Sequence, residues 1–414
     1  MIKSDLRLGD LCEVKSSKRV FAKEYVDDGV PFFRSKDVID KALGIFQKYD
    51  LFISFNRYKE LKEKTGSPQK CDLLINSVGN RTGHSYVVKD EGEFYFKDGN
   101  ILWLSNFNEL NPHFLSYWLK SSIGQNILES VMIGSAQKAL TIEAVRNLRI
   151  PNFKIENQLS IASVLCALDD KIENNRKMGQ TLEDMAQTIF KSWFVDFDPV
   201  HAKVAGNEPA HMDSKTAALF PNLFGDDGLP SGWYLKPISD LAIIKGGKHL
   251  TKSSINTGGI NPVFGGAGVM GRSDNNNADG FVIVVGRVGA YCGQFFSHRG
   301  KAWINNNASQ IIPNDGVSGD YLFCSLKSLD LNPIKKGAAQ PFVSNSDIAA
   351  LKVVYPNEPL LNCFDEVAHT LQLKIEVNET ENTTLTSLRD ELLPNLMSGK
   401  ISVNDAEREV EAVV

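Results

Sequence analysis

The six cysteines of this 414-residue chain, at 12, 71, 166, 292, 324 and 363, include no Cys-x-x-Cys pair. Scattered single thiols exclude a disulfide framework, argue against a zinc site and suit a reduced, cytoplasmic protein. No apolar run approaches the roughly 20 residues that a membrane-crossing helix needs. Met1 to Asp5 runs on into mixed polar sequence rather than a signal peptide. The expectation is a cytoplasmic chain with no membrane partner. None of the seven histidines forms a metal-spaced pair, so no metal is expected. A phosphate-binding Walker A motif is absent, as is the Asn-Pro-Pro-aromatic or Asp-Pro-Pro-aromatic run with which an amino-methyltransferase holds a flipped base. Gly266-x-Gly268-x-x-Gly271 matches a dinucleotide fingerprint, but a polar loop follows it where a helix is required, and 284–289 offers no acid. These glycines are expected to shape a tight backbone loop. No catalytic constellation is expected in this chain.

What the chain does have is a repeat. Gly134-Ser-Ala-Gln137 returns as Gly337-Ala-Ala-Gln340, and Lys171-Ile-Glu-Asn-Asn175 returns as Lys374-Ile-Glu-Val-Asn378, both at an offset of 203. Val78-Gly79-x-x-x-Gly83 pairs with Val288-Gly289-x-x-x-Gly293 at 210, and the Leu8–Lys15 segment pairs with Ile238–Lys245 at 230. The drift of 20 places an insertion in the first copy, expected in 46–70. A duplicated unit of globular segment plus long helix implies a pseudo-twofold molecule, suited to a bipartite target. Glu13-Val-Lys15 could be forced into a nuclease triad with Asp5, but the repeat partner Ala242–Lys245 lacks the acid.

The net charge of −5 argues against a nucleic-acid partner until it is divided along the chain. Residues 1–151 carry 22 lysines and arginines against 19 acids, and 234–356 carry 12 against 7. Residues 152–233 carry 7 against 12, and 357–414 carry 4 against 12. The globular segments are basic and the helical ones acidic.

Short apolar runs between turn signals (30–33, 72–76, 94–96, 101–104 and 280–285), with helices at 112–121 and 124–131, read as an α+β fold. The expected order is a globular domain at 1–151, a long helix at 152–196, a linker at 197–232, a second globular domain at 233–356, a second long helix at 357–400 and an acidic tail at 401–414. The first helix carries a seam of Leu165, Leu168, Ile172, Asn175, Leu182, Ile189 and Trp193. The second carries Leu371, Ile375, Asn378, Leu385, Leu392 and Leu396. About 40 residues at roughly 1.5 Å each make a rod of about 60 Å, too long to cover one domain. The two helices are expected to pair as an antiparallel coiled coil, with Asn175 and Asn378 fixing register. The repeat-equivalent stretches 176–185 and 379–388 are where a heptad could be added or removed without breaking the seam.

The blocks Gly134–Pro151, Glu156–Asn175, Trp193–Pro199, Pro262–Gly271 and Leu388–Ile401 resemble, in this order over the whole chain, the specificity subunit of type I restriction–modification enzymes. The resemblance implies two target-recognition domains, each reading half of a split double-stranded DNA sequence. It implies that the paired helices act as a fixed spacer and dock two modification (methyltransferase) subunits, and that restriction (motor–nuclease) subunits join for cleavage. It also implies that this chain is non-catalytic, with S-adenosylmethionine, ATP and magnesium held by the partner subunits rather than by this chain. A different reading is a repeat scaffold whose helices serve assembly only.

Base edges are read mainly by Arg, Lys, Asn and Gln on loops. The candidates in the first domain are Arg34, Lys36, Ser77, Asn80, Arg81, Gln137 and Lys138. Those in the second are Lys248, Arg272, Arg287, Tyr291 and Gln340. Because Gln137 and Gln340 recur in both copies, bonding the loop backbone competes equally with DNA contact as their role.

Overall fold

The computed structural model describes residues 3–45, 49–79, 81–134, 137–256, 258–337 and 340–413. The chain forms two units, Met1–Arg176 with Glu379–Val414, and Lys177–Asn378. Each unit takes one half of each long helix, Ile155–Phe194 and Glu358–Ser398.

In the first unit the central antiparallel sheet runs in the order Glu13–Lys15, Ile101–Ser105, Leu73–Asn76, Ser85–Val87. Both inner strands are buried along their length, which is why they read as continuous apolar runs rather than alternating ones. A second sheet joins Tyr25–Val26, Phe52–Ile53, Val30–Phe33 and Tyr95–Phe96, the last pair parallel. Asn111 caps the helix Pro112–Lys120 by accepting from the Phe114 amide at 3.0 Å, and Pro112 opens it. The chain then turns at once into the helix Ser122–Val131, where a Cβ on Gly124 would lie 2.0 Å from the Trp118 carbonyl. That close approach fixes glycine there.

The second unit repeats this order. Its main sheet runs Ala242–Gly246, Ala308–Pro313, Phe281–Gly286, Phe295–Arg299, and a parallel pair of Asn261–Gly265 with Trp303–Ile304 matches that of Val30–Phe33 with Tyr95–Phe96. The helix Gly319–Ser328 occupies the place of Pro112–Lys120. Where the first unit inserts the helices Ser35–Ala42 and Phe55–Thr65, the second has only the hairpin strand Gly268–Ser273. The expected insertion at 46–70 thus holds the strand Phe52–Ile53 and the helix Phe55–Thr65, and its residues 46–48 lie outside the described residues.

Within each unit the long helices pack side by side. In the first, Leu165, Leu168 and Ile172 share one core with Leu385, Leu392 and Leu396. Asn175 donates through Nδ2 to Asn382 Oδ1 at 3.2 Å and to Glu381 Oε2 at 2.6 Å, and Arg389 donates to Asp169 at 2.7 Å. Numbers rise on one helix as they fall on the other, so the pairing is antiparallel. In the second unit Phe190, Trp193 and Phe194 pack with Leu360, Leu361 and Phe364, and Gly179 faces Ile375. Leu182, Ile189, Leu371 and Ile375 are half-buried, while Asn378 is buried. Across the seam of the first unit the buried Asn175 meets the half-buried Asn382, and its repeat equivalent Asn378 is buried in the second unit. The stretch 176–185 does not face 379–388. An antiparallel partner runs backwards, so the segment opposite Gly179 is the one around Ile375.

The stretch 197–232 connects the first helix to the second domain and is itself folded. Its helices Asp198–Val204 and Ser214–Ala218 carry Phe197 and Phe220 onto the helix end, with Trp193 and Phe220 rings edge to face at 5.3 Å. The acidic tail forms the helix Val403–Glu411, capped by Ser402, and buries Ala406 in the first core.

Asp169 fastens the first domain to its helix pair. Tyr117 Oη and Arg389 Nη1 both donate to it at 2.7 Å. Burial pushes its pKa up, but the charges of Lys120 and Arg389 and these hydrogen bonds outweigh burial and hold it below the ordinary carboxylate value. A depressed folded pKa gives stability that is present above the unfolded value and lost as pH falls through the folded one. Asp169→Asn should cost roughly 2 kcal/mol at pH 7. The gap between variant and wild type in denaturant midpoint should close as pH drops below about 4. A gap that stays constant from pH 7 to pH 3 would refute the assignment.

Candidate nucleic-acid interface

In both units a buried strand of the main sheet runs into a glycine-bounded loop, and a second loop docks on it. In the first, Gly79 N donates to Lys138 O at 3.0 Å, Leu140 N to Ser77 O at 2.8 Å and Gly83 N to Asn76 O at 2.8 Å. In the second, Gly289 N donates to Pro341 O at 2.9 Å, Val343 N to Arg287 O at 3.0 Å and Gly293 N to Gly286 O at 2.8 Å. The β-bridges Val78 to Ala139 and Val288 to Phe342 lock the loops together. The docking loop turns at Gly134 (φ +91°) or Gly337 (φ +86°), where a Cβ would lie 2.4 or 2.7 Å from the carbonyl of Gln137 or Gln340. That explains the recurring glycine, since an L side chain is strained at this φ and has no room. The glutamines contribute their carbonyls to this closure, while their side chains are exposed in both copies.

The Gly265–Gly268 turn packs beside the second loop, with the Gly266 carbonyl 2.5 Å from where a Cβ on Gly286 would be. The close approach there depends on Gly286, whereas of the fingerprint's glycines Gly268 and Gly271 take positive φ (+97° and +157°) within the hairpin Asn261–Gly265 to Gly268–Ser273.

The structure gathers Ser77, Arg81, Gln137 and Lys138 on the first loop pair, and Arg287, Tyr291 and Gln340 on the second. Asn80 lies outside the described residues. Ser77 is only 1 % exposed and donates to the Gly99 carbonyl at 3.2 Å, which makes it part of the loop's internal scaffold. Arg81 is exposed and makes no side-chain hydrogen bond or salt bridge among the described residues. Lys36, also exposed, joins Arg81 in acting on Asp40, whose pKa burial raises against the pull of both cations. Among the described residues the Lys138 side chain pairs with Glu129, at 3.3 Å across open surface. Arg34 is occupied, its guanidinium bound by Asp37 and Asp50.

In the second unit Arg272 is likewise occupied, donating to the carbonyls of Gly259 at 2.8 Å and Ile260 at 2.6 Å. Arg287 contrasts with both. It is half-buried, its Nε is enclosed without a hydrogen-bond partner among the described residues, and no carboxylate neutralises it there. Lys248, exposed, lies two residues beyond Gly246, whose Cβ position is 3.7 Å from Arg287 Nη1. The residues that sequence reasoning passed over are Val288 and Phe342, exposed apolar side chains at the centre of the loop pair. Their signal was present in the repeat, which places Phe342 opposite Ala139.

Equivalent positions carry different chemistry. Ser77 and Arg81 at the ends of the first loop correspond to Arg287 and Tyr291 in the second. An uncompensated, partly buried guanidinium is a donor held ready for an acceptor. Arg287→Ala should cost roughly 1–3 kcal/mol of binding and relax one base position if it contacts a base edge. Arg81→Ala, at an open position, should weaken all sequences alike and reduce the salt slope by about one if it contacts phosphate. Titration of matched and singly substituted sites at several salt concentrations separates the two. No change in either quantity for Arg287→Ala would remove that loop from the DNA.

Two basic domains on paired helices, each presenting one frame of loops with different side chains, define a bipartite binding protein. Residues 4–184 and 230–361 match the type I restriction modification DNA specificity domain, and the chain belongs to that family, the non-catalytic specificity subunits. It is 26% identical over 405 residues to the type I restriction enzyme HindI specificity subunit of Haemophilus influenzae, covering 80% of this chain and 87% of that one. It is 24% identical over 435 residues to the MjaIX specificity subunit of Methanocaldococcus jannaschii, covering 96% and 93%. Its fold is similar to the crystal structure of the type I restriction-modification S subunit from M. genitalium, with a TM-score of 0.55 and 19% identity over 95% of this chain and 96% of the other.

Proposed function

We propose that this chain selects the DNA sequence on which a type I restriction–modification complex acts, each globular domain reading one half of a split site through its loop pair. One observation carries the reading: a single backbone frame occurs twice, with different side chains in the same places. Recognition of two unlike half-sites needs that combination. A scaffold serving assembly alone gives no reason for Arg287 and Tyr291 to replace Ser77 and Arg81 while the surrounding hydrogen bonds are kept. The basic balance of the globular segments supplies attraction to phosphate, and the acidic helices face less favourably toward DNA.

The helices set the distance between half-sites and offer docking surfaces for two modification subunits, which bring S-adenosylmethionine. Motor–nuclease subunits, with ATP and magnesium, complete the cleaving complex. No described helix is long and apolar enough to cross a membrane, and the working compartment of such a complex is the cytoplasm, where the DNA is. The test is the methylome of a host with and without this gene. A split adenine-methylated sequence should vanish with the gene and return on complementation. An unchanged methylome in a host whose modification subunits are expressed would overturn the reading.

A further inference from the structure

We infer that the second domain reads the 5-methyl group of a thymine in its half-site, through the exposed rings of Tyr291 and Phe342. The inference rests on the DNA-reading role proposed above and adds the chemistry of one contact. Tyr291 corresponds to Arg81 of the first domain, and Pro341-Phe342 to Lys138-Ala139. Where the first domain sets out two cations, the second sets out two aromatic rings.

Tyr291 is 51 % exposed, Phe342 41 % and their neighbour Val288 40 %. Val288 and Phe342 face each other across a β-bridge, and the carbonyl of Tyr291 lies 2.4 Å from the Cβ position of Gly286, at the foot of the same loop. Met270, half exposed, stands on the hairpin whose turn abuts Gly286. A soluble protein rarely gathers large apolar side chains on one open surface without a contact to make.

The occupant follows from the neighbours. Arg287, half-buried and with no carboxylate partner among the described residues, is part of the same loop, and its Nη1 lies 3.7 Å from the Cβ position of Gly246, two residues before the exposed Lys248. A partner that satisfies a free guanidinium and covers apolar rings at one place fits the major groove. There guanine offers two acceptors and thymine alone offers a methyl group. Burying that methyl against a ring is worth about a fourfold change in affinity.

The experiment uses the full chain assembled with its modification subunits, on the sequence defined by its methylome. Binding to that site and to scrambled DNA is measured first. No preference between them would overturn the DNA-reading role, and this inference with it. Each thymine of the half-site assigned to the second domain is then replaced by uracil, which removes only the methyl group. One position should lose roughly 3- to 10-fold in affinity. Tyr291→Ser or Phe342→Ser should make the complex indifferent to that replacement. Tyr291→Phe and Phe342→Leu, which keep apolar bulk and the fold, should retain the sensitivity, as should Arg81→Ala. If site preference is intact but uracil changes affinity by less than twofold at every position, the rings serve another partner and the thymine contact is wrong. It is equally wrong if both serine variants keep the full uracil sensitivity.

Discussion

Exchange of residues 1–150 for the corresponding domain of a related specificity subunit should change one half of the methylated sequence and leave the other half intact. The effect on the original site should be large. Each mismatched base pair costs roughly 1–3 kcal/mol, roughly additively, against a gap of about 4–10 kcal/mol between specific and non-specific binding, so a few mismatches abolish specific binding. The reason for confinement to one half is that the loop pair of each unit closes on itself. Ser77, Gly79 and Leu140 exchange backbone hydrogen bonds within the first unit, as Arg287, Gly289 and Val343 do within the second. The exchange has to respect the seat of the domain on its helices. Tyr117 donates to Asp169, Lys89 pairs with Asp170 at 3.1 Å, and Arg176 donates to the carbonyls of Leu43 and Gly44 at 3.1 and 3.3 Å. A donor domain lacking a partner for Asp169 should fold less stably, yet still change only its own half-site. Sequencing the methylated bases after exchange decides the matter. A change in both halves would show that the domains do not read independently.

Removing one heptad from each helix should alter the number of unspecified bases between two unchanged half-sequences. Seven residues shorten a helix by roughly 10 Å, or about three base pairs of B-form DNA. The deletions have to face each other, and the contact of Gly179 with Ile375 makes 179–185 and 371–377 the pair to remove. Leu182, Leu371 and Ile375, which these deletions remove, are half-buried rather than fully buried, so the loss of core is small, although Glu183, the partner of Lys327, is lost with them. Deleting 179–185 with the repeat-equivalent 382–388 should instead damage the molecule. That deletion takes out Leu385, which is fully buried in the first core, and Asn382, the partner of Asn175. The measurement is again the methylated sequence, with circular dichroism confirming a folded chain. An unchanged spacer in a folded, active deletion variant would mean that the helices are not the ruler.

The parts of this fold legible in the sequence are those with a local or periodic signature. Leu165, Leu168, Ile172, Leu385, Leu392 and Leu396 recur at helical spacing because one face of a helix must be buried, and they are the core of the first unit's helix pair. The glycine of Gly134-Ser-Ala-Gln137 recurs because the turn closes on a carbonyl that leaves no space for a side chain. Side-chain assignments were less legible, because they depend on partners distant in sequence. Arg34 looks like a reader until Asp50 binds it, and Arg272 until the carbonyls of Gly259 and Ile260 do. Ser77 looks exposed until strand packing turns its hydroxyl inward to Gly99. The stretch 197–232 reads as a linker by its prolines, and only packing shows Phe197 and Phe220 gathered around the end of a helix.

The two units are not equally ready to fold as the chain leaves the ribosome. The second is a single stretch, Lys177–Asn378, all of which has emerged once residue 378 has. The first needs Glu379–Val414, and until those residues arrive Leu165, Leu168 and Ile172 have no Leu385, Leu392 or Leu396 to cover them. At roughly 5–20 residues per second, that interval lasts on the order of 10–50 s. For that time the domain made first stands with an open apolar stripe, and the domain made second is finished before it. Nascent chains held with residues up to 378 outside the ribosome and 379–414 still inside it should therefore be bound by chaperones through the segment around Leu168, while the same chains carry a second domain already resistant to protease.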